Sequence, residues 1–166
     1  HRDLKKSYDG DMEARDRMHN AQCLAGMAFS NALLGIVHSM AHKTGAAYTG
    51  GHIIHGAANA MYLPKVIQYN AKNPEAAERY ADIARALKLE GSTTAELVAA
   101  LVEELRSMNK QLNIPLAIKN YGEGGVLADK SIIDEKEFLE KLPEVAANAI
   151  SDACTGSNPR QPSQED

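Results

Sequence analysis

Residues 21–61 read AQCLAGMAFSNALLGIVHSMAHKTGAAYTGGHIIHGAANAM, and the first half of this stretch decides the fold class. No Asp, Glu, Lys or Arg occurs from Asn20 to Ala41. Ala21, Ala25, Ala28, Ala32, Gly35 and Ser39 recur at spacings of three and four, a stripe of small residues down one face of a helix. Leu24, Met27, Leu34 and Met40 fill other directions. A helix apolar nearly all round predicts a central element surrounded by others. The run is long enough to span a bilayer, but Asn20, Gln22, Ser30, Asn31, His38 and Ser39 interrupt it. It therefore reads as a buried core helix, with no membrane partner.

Working outward, the helix is predicted to begin near Asp11 or Met12, where Asp11, Glu13 and Asp16 suit the positive end of the dipole, and to stop at Gly45. Residues 1–11 read as an incoming connection. A second helix is predicted from His55-Gly56 through Asn70, with Pro64 kinking or dividing it. Pro74 opens a third, amphipathic helix with Ala77, Tyr80, Ala81, Ala84 and Leu87 on one face. Thr93 and Glu96 form a capping box for a fourth, which runs to about Leu112 with Leu97, Leu101, Leu105 and Met108 on its buried face. Residues 116–131, with Gly122, Gly124 and Gly125, read as a loop. A last helix spans about Asp134 to Cys154, and the end, CTGSNPRQPSQED, reads as polar and irregular. No strand pattern or internal repeat is present. The expectation is one all-α, multi-helix domain over residues 1–166.

Composition narrows the partners. The 166 residues are 44% hydrophobic, 24% charged and only 5% aromatic, a balance that favours helices packed through small side chains. A net charge of −4 without Lys/Arg runs gives no reason to expect nucleic acid. Cys23 and Cys154 stand far apart, as expected of reduced thiols in a cytoplasmic protein. There is no GxSxG, P-loop or GxGxxG followed by a helix.

The chemistry concentrates in the second half of the opening stretch. His38, His42, His52 and His55, four of the six histidines, fall within eighteen residues. His38 and His42 are four apart, which puts both imidazoles on one helix face. Neutral imidazole is a preferred ligand for divalent iron, zinc, nickel and copper. A third histidine from a following helix start would add to such a site, and His55, with Gly56 beside it, suits that role. An HxxxH pair alone is a weak signal. A non-enzymatic helical module with structural or metal-binding histidines is the alternative.

Five blocks in order, AGMAFSNALLGIVHSMAHKTGA, HIIHGAANAMYLPKVIQYN, RYADIARAL, LNIPLAIKNYG and DACTGSNPR, closely resemble the helical C-terminal domain of the iron-dependent (group III) alcohol dehydrogenases. The likeness is greatest to butanol-dehydrogenase-like members and to the alcohol dehydrogenase half of the bifunctional acetaldehyde–alcohol enzymes. The resemblance implies metal-assisted hydride transfer between primary alcohols or aldehydes and NAD or NADP, with Fe2+ or Zn2+ held by an Asp and three His. On the matching positions it makes His38 and His55 metal ligands and sets His42 beside the nicotinamide as a proton relay. Phe29 and Cys154 match positions that line the substrate pocket. It also implies a nucleotide-binding domain of the same enzyme as partner, and a homo-oligomer.

Three departures qualify this. The chain contains no Asp-x-x-x-His for the other two ligands, so it reads as the C-terminal part of an enzyme, short at both ends and inactive alone. Thr49-Gly50-Gly51 lengthen the loop before the second histidine block; counting from His38 lands on His52, whereas matching HIIHG lands on His55, the preferred choice. Phe29 precedes His38 by nine residues, so on one straight helix the two would point apart. Sharing a pocket would require a bend or break near Gly35.

Overall fold

The computed structural model describes residues 1–166 and is helical throughout, with two compact units, His1–Leu34 and Gly35–Asp166. In the first unit a short helix α1 (Leu4–Tyr8) packs on α2 (Met12–Ala32). Asp11 caps α2 as its position suggests, its carboxylate accepting the Glu13 and Ala14 amides at 3.0 Å each. Within this unit Asp3 receives the guanidinium of Arg17 at 3.0 Å.

The long central helix predicted from Asp11 to Gly45 is corrected in two respects. It is broken: α2 ends at Ala32, Leu33 takes a φ of +65°, and a new helix, α3 (Ile36–Gly45), starts after Gly35. Nor is α2 a buried core element. Ala14 is its single buried residue, and Leu24 and Met27 are 67% and 62% exposed. Small side chains permit close packing without requiring it. No single helix is long and apolar enough to cross a membrane.

The second unit carries α3, α4 (His55–Asn70), α5 (Pro74–Ala86), α6 (Thr94–Gln111) and α7 (Glu135–Ile150). Helix α4 is its axis, packing on α3 on one side and on α5 and α6 on the other. One core gathers Ala41, Tyr48, Ile53, Ala58, Met61 and Tyr121; a second sets Ile67 against Ala81, Ala84, Leu97, Leu101 and Val102. Local signals act as read. The Asn73 side chain caps α5, with Pro74 in its first turn, and Thr93 and Glu96 close a full capping box on α6. Residues 116–131 hold two 3-10 turns and one antiparallel bridge, Tyr121 to Leu127.

Pro64 does not divide α4, which runs unbroken from His55 to Asn70. A proline cannot donate to the carbonyl four residues back, here that of Ala60. The buried Asn109 of α6 supplies the missing donor, its Nδ2 reaching the Ala60 carbonyl at 2.7 Å. The proline thus creates an acceptor that ties α4 to α6.

Tyr48 yields a pH prediction. Its ring packs on Phe138 at 5.7 Å, and its buried hydroxyl has no hydrogen-bond partner. Burial, with smaller contributions from Tyr62 and Glu137, pushes its pKa from 10.0 up to about 12. A folded-state value above the unfolded one means the fold favours the neutral phenol. That contribution is whole below pH 10 and is lost as pH rises towards about 12. Tyr48→Phe removes an unpaired hydroxyl, so stability at neutral pH is expected to hold or rise by up to about 1 kcal/mol. Denaturant midpoints should also lose part of their alkaline decline. A clear loss of neutral-pH stability would refute this.

Candidate functional site

Helix α3 presents His38 and His42 one turn apart, and the first residue of α4 brings His55 against both. Ring centroids are 6.0 Å apart for His38–His42, 5.3 Å for His38–His55 and 5.2 Å for His42–His55, the last pair stacked at 16°. His38 is half-buried; burial, then the neighbouring His55 and His42, lowers its pKa below the usual imidazole value. Asn59 Nδ2 lies 3.0 Å from His55 Nε2. An amide donor there requires that nitrogen to be unprotonated.

The loop joining the two helices is held in place. Thr49 donates to Glu137 of α7 through both its amide and its hydroxyl, each at 2.9 Å. Gly50 leaves no room for a side chain against the Ile132 carbonyl. Tyr121, fully buried, accepts the Ile54 amide at 2.6 Å and donates to the His52 carbonyl at 3.2 Å, fixing the backbone just before His55. His52 turns the other way, its Nδ1 lying 3.3 Å from the Gly45 carbonyl at the end of α3. His55, and not His52, therefore has its ring beside His38.

The C-terminal stretch, read from sequence as irregular, is a built wall of the site. Asp152 accepts the Cys154 amide at 3.0 Å and starts a 3-10 turn, Ala153–Ser157. The Thr155 hydroxyl lies 2.7 Å from that of buried Ser39 on α3. Asn158 reaches the start of α3, its Oδ1 accepting the Ile36 amide at 3.3 Å. A Cβ on Gly35 would sit 2.9 Å from that same oxygen, so the close approach requires glycine.

Cys154 is half-buried beside Asp152, and burial followed by that carboxylate raises its pKa. It stays a neutral thiol and not a nucleophile. Asp152 itself is held far below the ordinary carboxylate range by the Cys154 amide first and by Lys43, at 2.9 Å, second. Phe29 belongs to α2 in the first unit, where its ring is half-exposed. Asp152 escaped the sequence reading; its Asp-x-Cys-Thr-Gly setting, a capping residue opening a tight turn, is the signal that could have found it.

The donor chemistry fits a divalent metal in part. His38 and His55 bring their imidazole rings to 5.3 Å between centroids, and the buried carbonyl oxygen of Asn59, one turn after His55, lacks a hydrogen-bond partner.

Comparison with known proteins accords with this arrangement. The model of the Fe-containing alcohol dehydrogenase family, C-terminal, matches residues 1–166. An NADPH-dependent butanol dehydrogenase of Clostridium saccharobutylicum is 55% identical over 158 residues, covering 95% of this chain and 37% of that protein. Lactaldehyde reductase of Escherichia coli is 39% identical over 165 residues, covering 98% of this chain and 38% of that protein. Among solved structures, a 1,3-propanediol oxidoreductase superposes with a TM-score of 0.80 at 31% identity, covering 99% of this chain and 39% of that one. The iron-containing alcohol dehydrogenase of Thermococcus thioreducens gives 0.77 at 35% identity, covering 99% and 38%. The chain thus spans less than two-fifths of these relatives.

Proposed function

The chain belongs to the Fe-containing alcohol dehydrogenase family, and from that premise we propose that it is the helical part of an enzyme interconverting primary alcohols and aldehydes with NAD or NADP. The observation that carries this reading is the convergence of His38, His42 and His55 from two helices at 5.2–6.0 Å, on a backbone fixed by Tyr121 and Asn158. His38 and His55 would hold the metal, iron or zinc, with the remaining ligands and the nucleotide supplied by another part of the enzyme. What such a metal contributes when bound is Lewis acidity towards an alcohol or aldehyde oxygen. The nicotinamide exchanges the hydride, so this chain orients groups and moves a proton.

His42 is the proton relay. Its side chain is 41% exposed, so one edge of the ring is open to a reactant, while Nδ1 faces the Asp152 carboxylate at 3.6 Å. Cys154 would border the reacting carbon with an uncharged surface that does not compete for the aldehyde. Two imidazoles leave half of a four-ligand shell to water, so the isolated chain is expected to bind metal weakly and to be inactive.

The test is metal removal from the full-length enzyme purified without oxygen. The expected result is bound iron or zinc near one per chain, with alcohol-dependent nicotinamide reduction falling at least about 100-fold on chelation and returning with the metal. A metal-free protein that reduces nicotinamide at an undiminished rate would defeat the proposal.

A further inference from the structure

Asp152 is placed for more than capping a turn. Oδ1 accepts the Cys154 amide at 3.0 Å and the Ser39 hydroxyl at 3.4 Å, which anchors the carboxylate to the 3-10 turn and to α3 together. Capping uses one oxygen. Oδ2 is left on the other side, 2.9 Å from Nζ of Lys43 and 3.6 Å from Nδ1 of His42. A nearly buried anion with a fixed direction therefore faces one nitrogen of an imidazole whose ring is stacked on His55.

We infer that Asp152 is the positioning residue of His42, keeping the imidazole proton on Nδ1 and so presenting Nε2 as the nitrogen that exchanges a proton with the substrate hydroxyl. This rests on the relay role proposed above. A carboxylate beside one imidazole nitrogen selects the tautomer and the ring orientation, and leaves the other nitrogen for chemistry. The separation exceeds a hydrogen bond by about half an ångström. Such contacts commonly tighten only in the reacting complex. Lys43 bonds the same oxygen, so Oδ2 is shared between a permanent cation and the imidazole, and the carboxylate stays ionised. His42, Asp152 and Cys154 also offer donor atoms within 4.8 Å of one another, a spacing that would suit a second cation. Lys43 already brings a positive charge to Oδ2, and the Cys154 thiol is pushed away from the thiolate such an ion prefers. Positioning is the reading the charges favour.

Asp152→Asn in the full-length enzyme tests this, because the amide oxygen still accepts the Cys154 amide and preserves the turn. Turnover is expected to fall about 10- to 100-fold with unchanged metal content, the scale of lost support behind a functional imidazole. KM for the alcohol should stay within about threefold, and Asp152→Glu should recover part of the turnover. An independent readout is the 15N spectrum of histidine-labelled, metal-free full-length protein. It should show His42 as the Nδ1–H tautomer in the wild type and a shift towards Nε2–H in Asp152→Asn. An Nε2–H tautomer in the wild type, a tautomer indifferent to the substitution, or a turnover loss matched by metal loss would each overturn the inference. If the wild type itself lacks alcohol dehydrogenase activity, the proposed function fails, while the tautomer measurement still decides the role of Asp152.

Discussion

His55→Ala in the full-length enzyme is expected to lose at least about 100-fold in metal affinity, beyond the 10- to 100-fold that changes behind a ligand typically cost. Turnover should fall with it. His52→Ala is expected to stay within about tenfold of wild type in both, since it removes one hydrogen bond to backbone. The contrast follows from the turn between α3 and α4. The His52 ring is committed to the Gly45 carbonyl at 3.3 Å, whereas the His55 ring lies 5.3 Å from that of His38 and 5.2 Å from that of His42. Nor can the loop readily exchange one histidine for the other. Thr49 is held by Glu137, and Tyr121 grips the backbone at both His52 and Ile54. Moving His52 to the site would break these bonds and expose Ile53, which is buried between the two histidines. Metal content and affinity of the two variants, measured side by side, check this; equal or reversed losses would sink the assignment.

The three extra residues of that loop show what a sequence does and does not disclose. A lengthened loop suggests slack that can bulge outward, which is how HIIHG could be aligned at all. In the structure the extra residues are clamped, because a threonine and a glutamate 88 positions apart meet. Features written in neighbouring residues were legible: the Asn73-Pro74 start of α5 and the Thr93–Glu96 capping box each depend on atoms three residues apart or fewer. Pro64 was half-legible. Its lost hydrogen bond is a local fact, but the Asn109 that takes up the freed carbonyl stands 49 residues away, so the tie from α4 to α6 is not written in neighbouring residues. The small-residue stripe misled for a related reason. It states how closely a neighbour can come and nothing about which element that is. At Gly35 and Ser39 the neighbour is the segment Asp152–Asn158 with its short 3-10 turn, while Ala21, Ala25, Ala28 and Ala32 of the stripe stay exposed.

That segment carries the other large expected effect. Asn158 is buried, and its side chain makes four contacts: Oδ1 accepts the Ile36 amide at 3.3 Å and Asn70 Nδ2 at 3.2 Å, while Nδ2 donates to Asn70 Oδ1 at 2.8 Å and to the Arg160 carbonyl at 2.6 Å. Truncation to alanine leaves several of these partners buried and unpaired, at about 1–3 kcal/mol for each group that cannot reach water. Asn158→Ala is therefore expected to destabilise the fold by about 3 kcal/mol or more, large for one substitution. His38 is the third residue of α3, so a first turn that frays without its cap also loosens the proposed metal ligand, and metal affinity should fall in parallel. The same geometry predicts a coupling. Gly35→Ala in the wild type drives a Cβ to 2.9 Å from Asn158 Oδ1, at a cost of about 1–3 kcal/mol from overpacking. Made on top of Asn158→Ala, the same change meets no opposing oxygen and should cost much less. A cycle of the two single variants and the double variant, followed by denaturant midpoint, isolates this interaction. Additive losses would mean that Gly35 is required for its own backbone and not for the approach of Asn158, and the cap on α3 would have to be sought elsewhere.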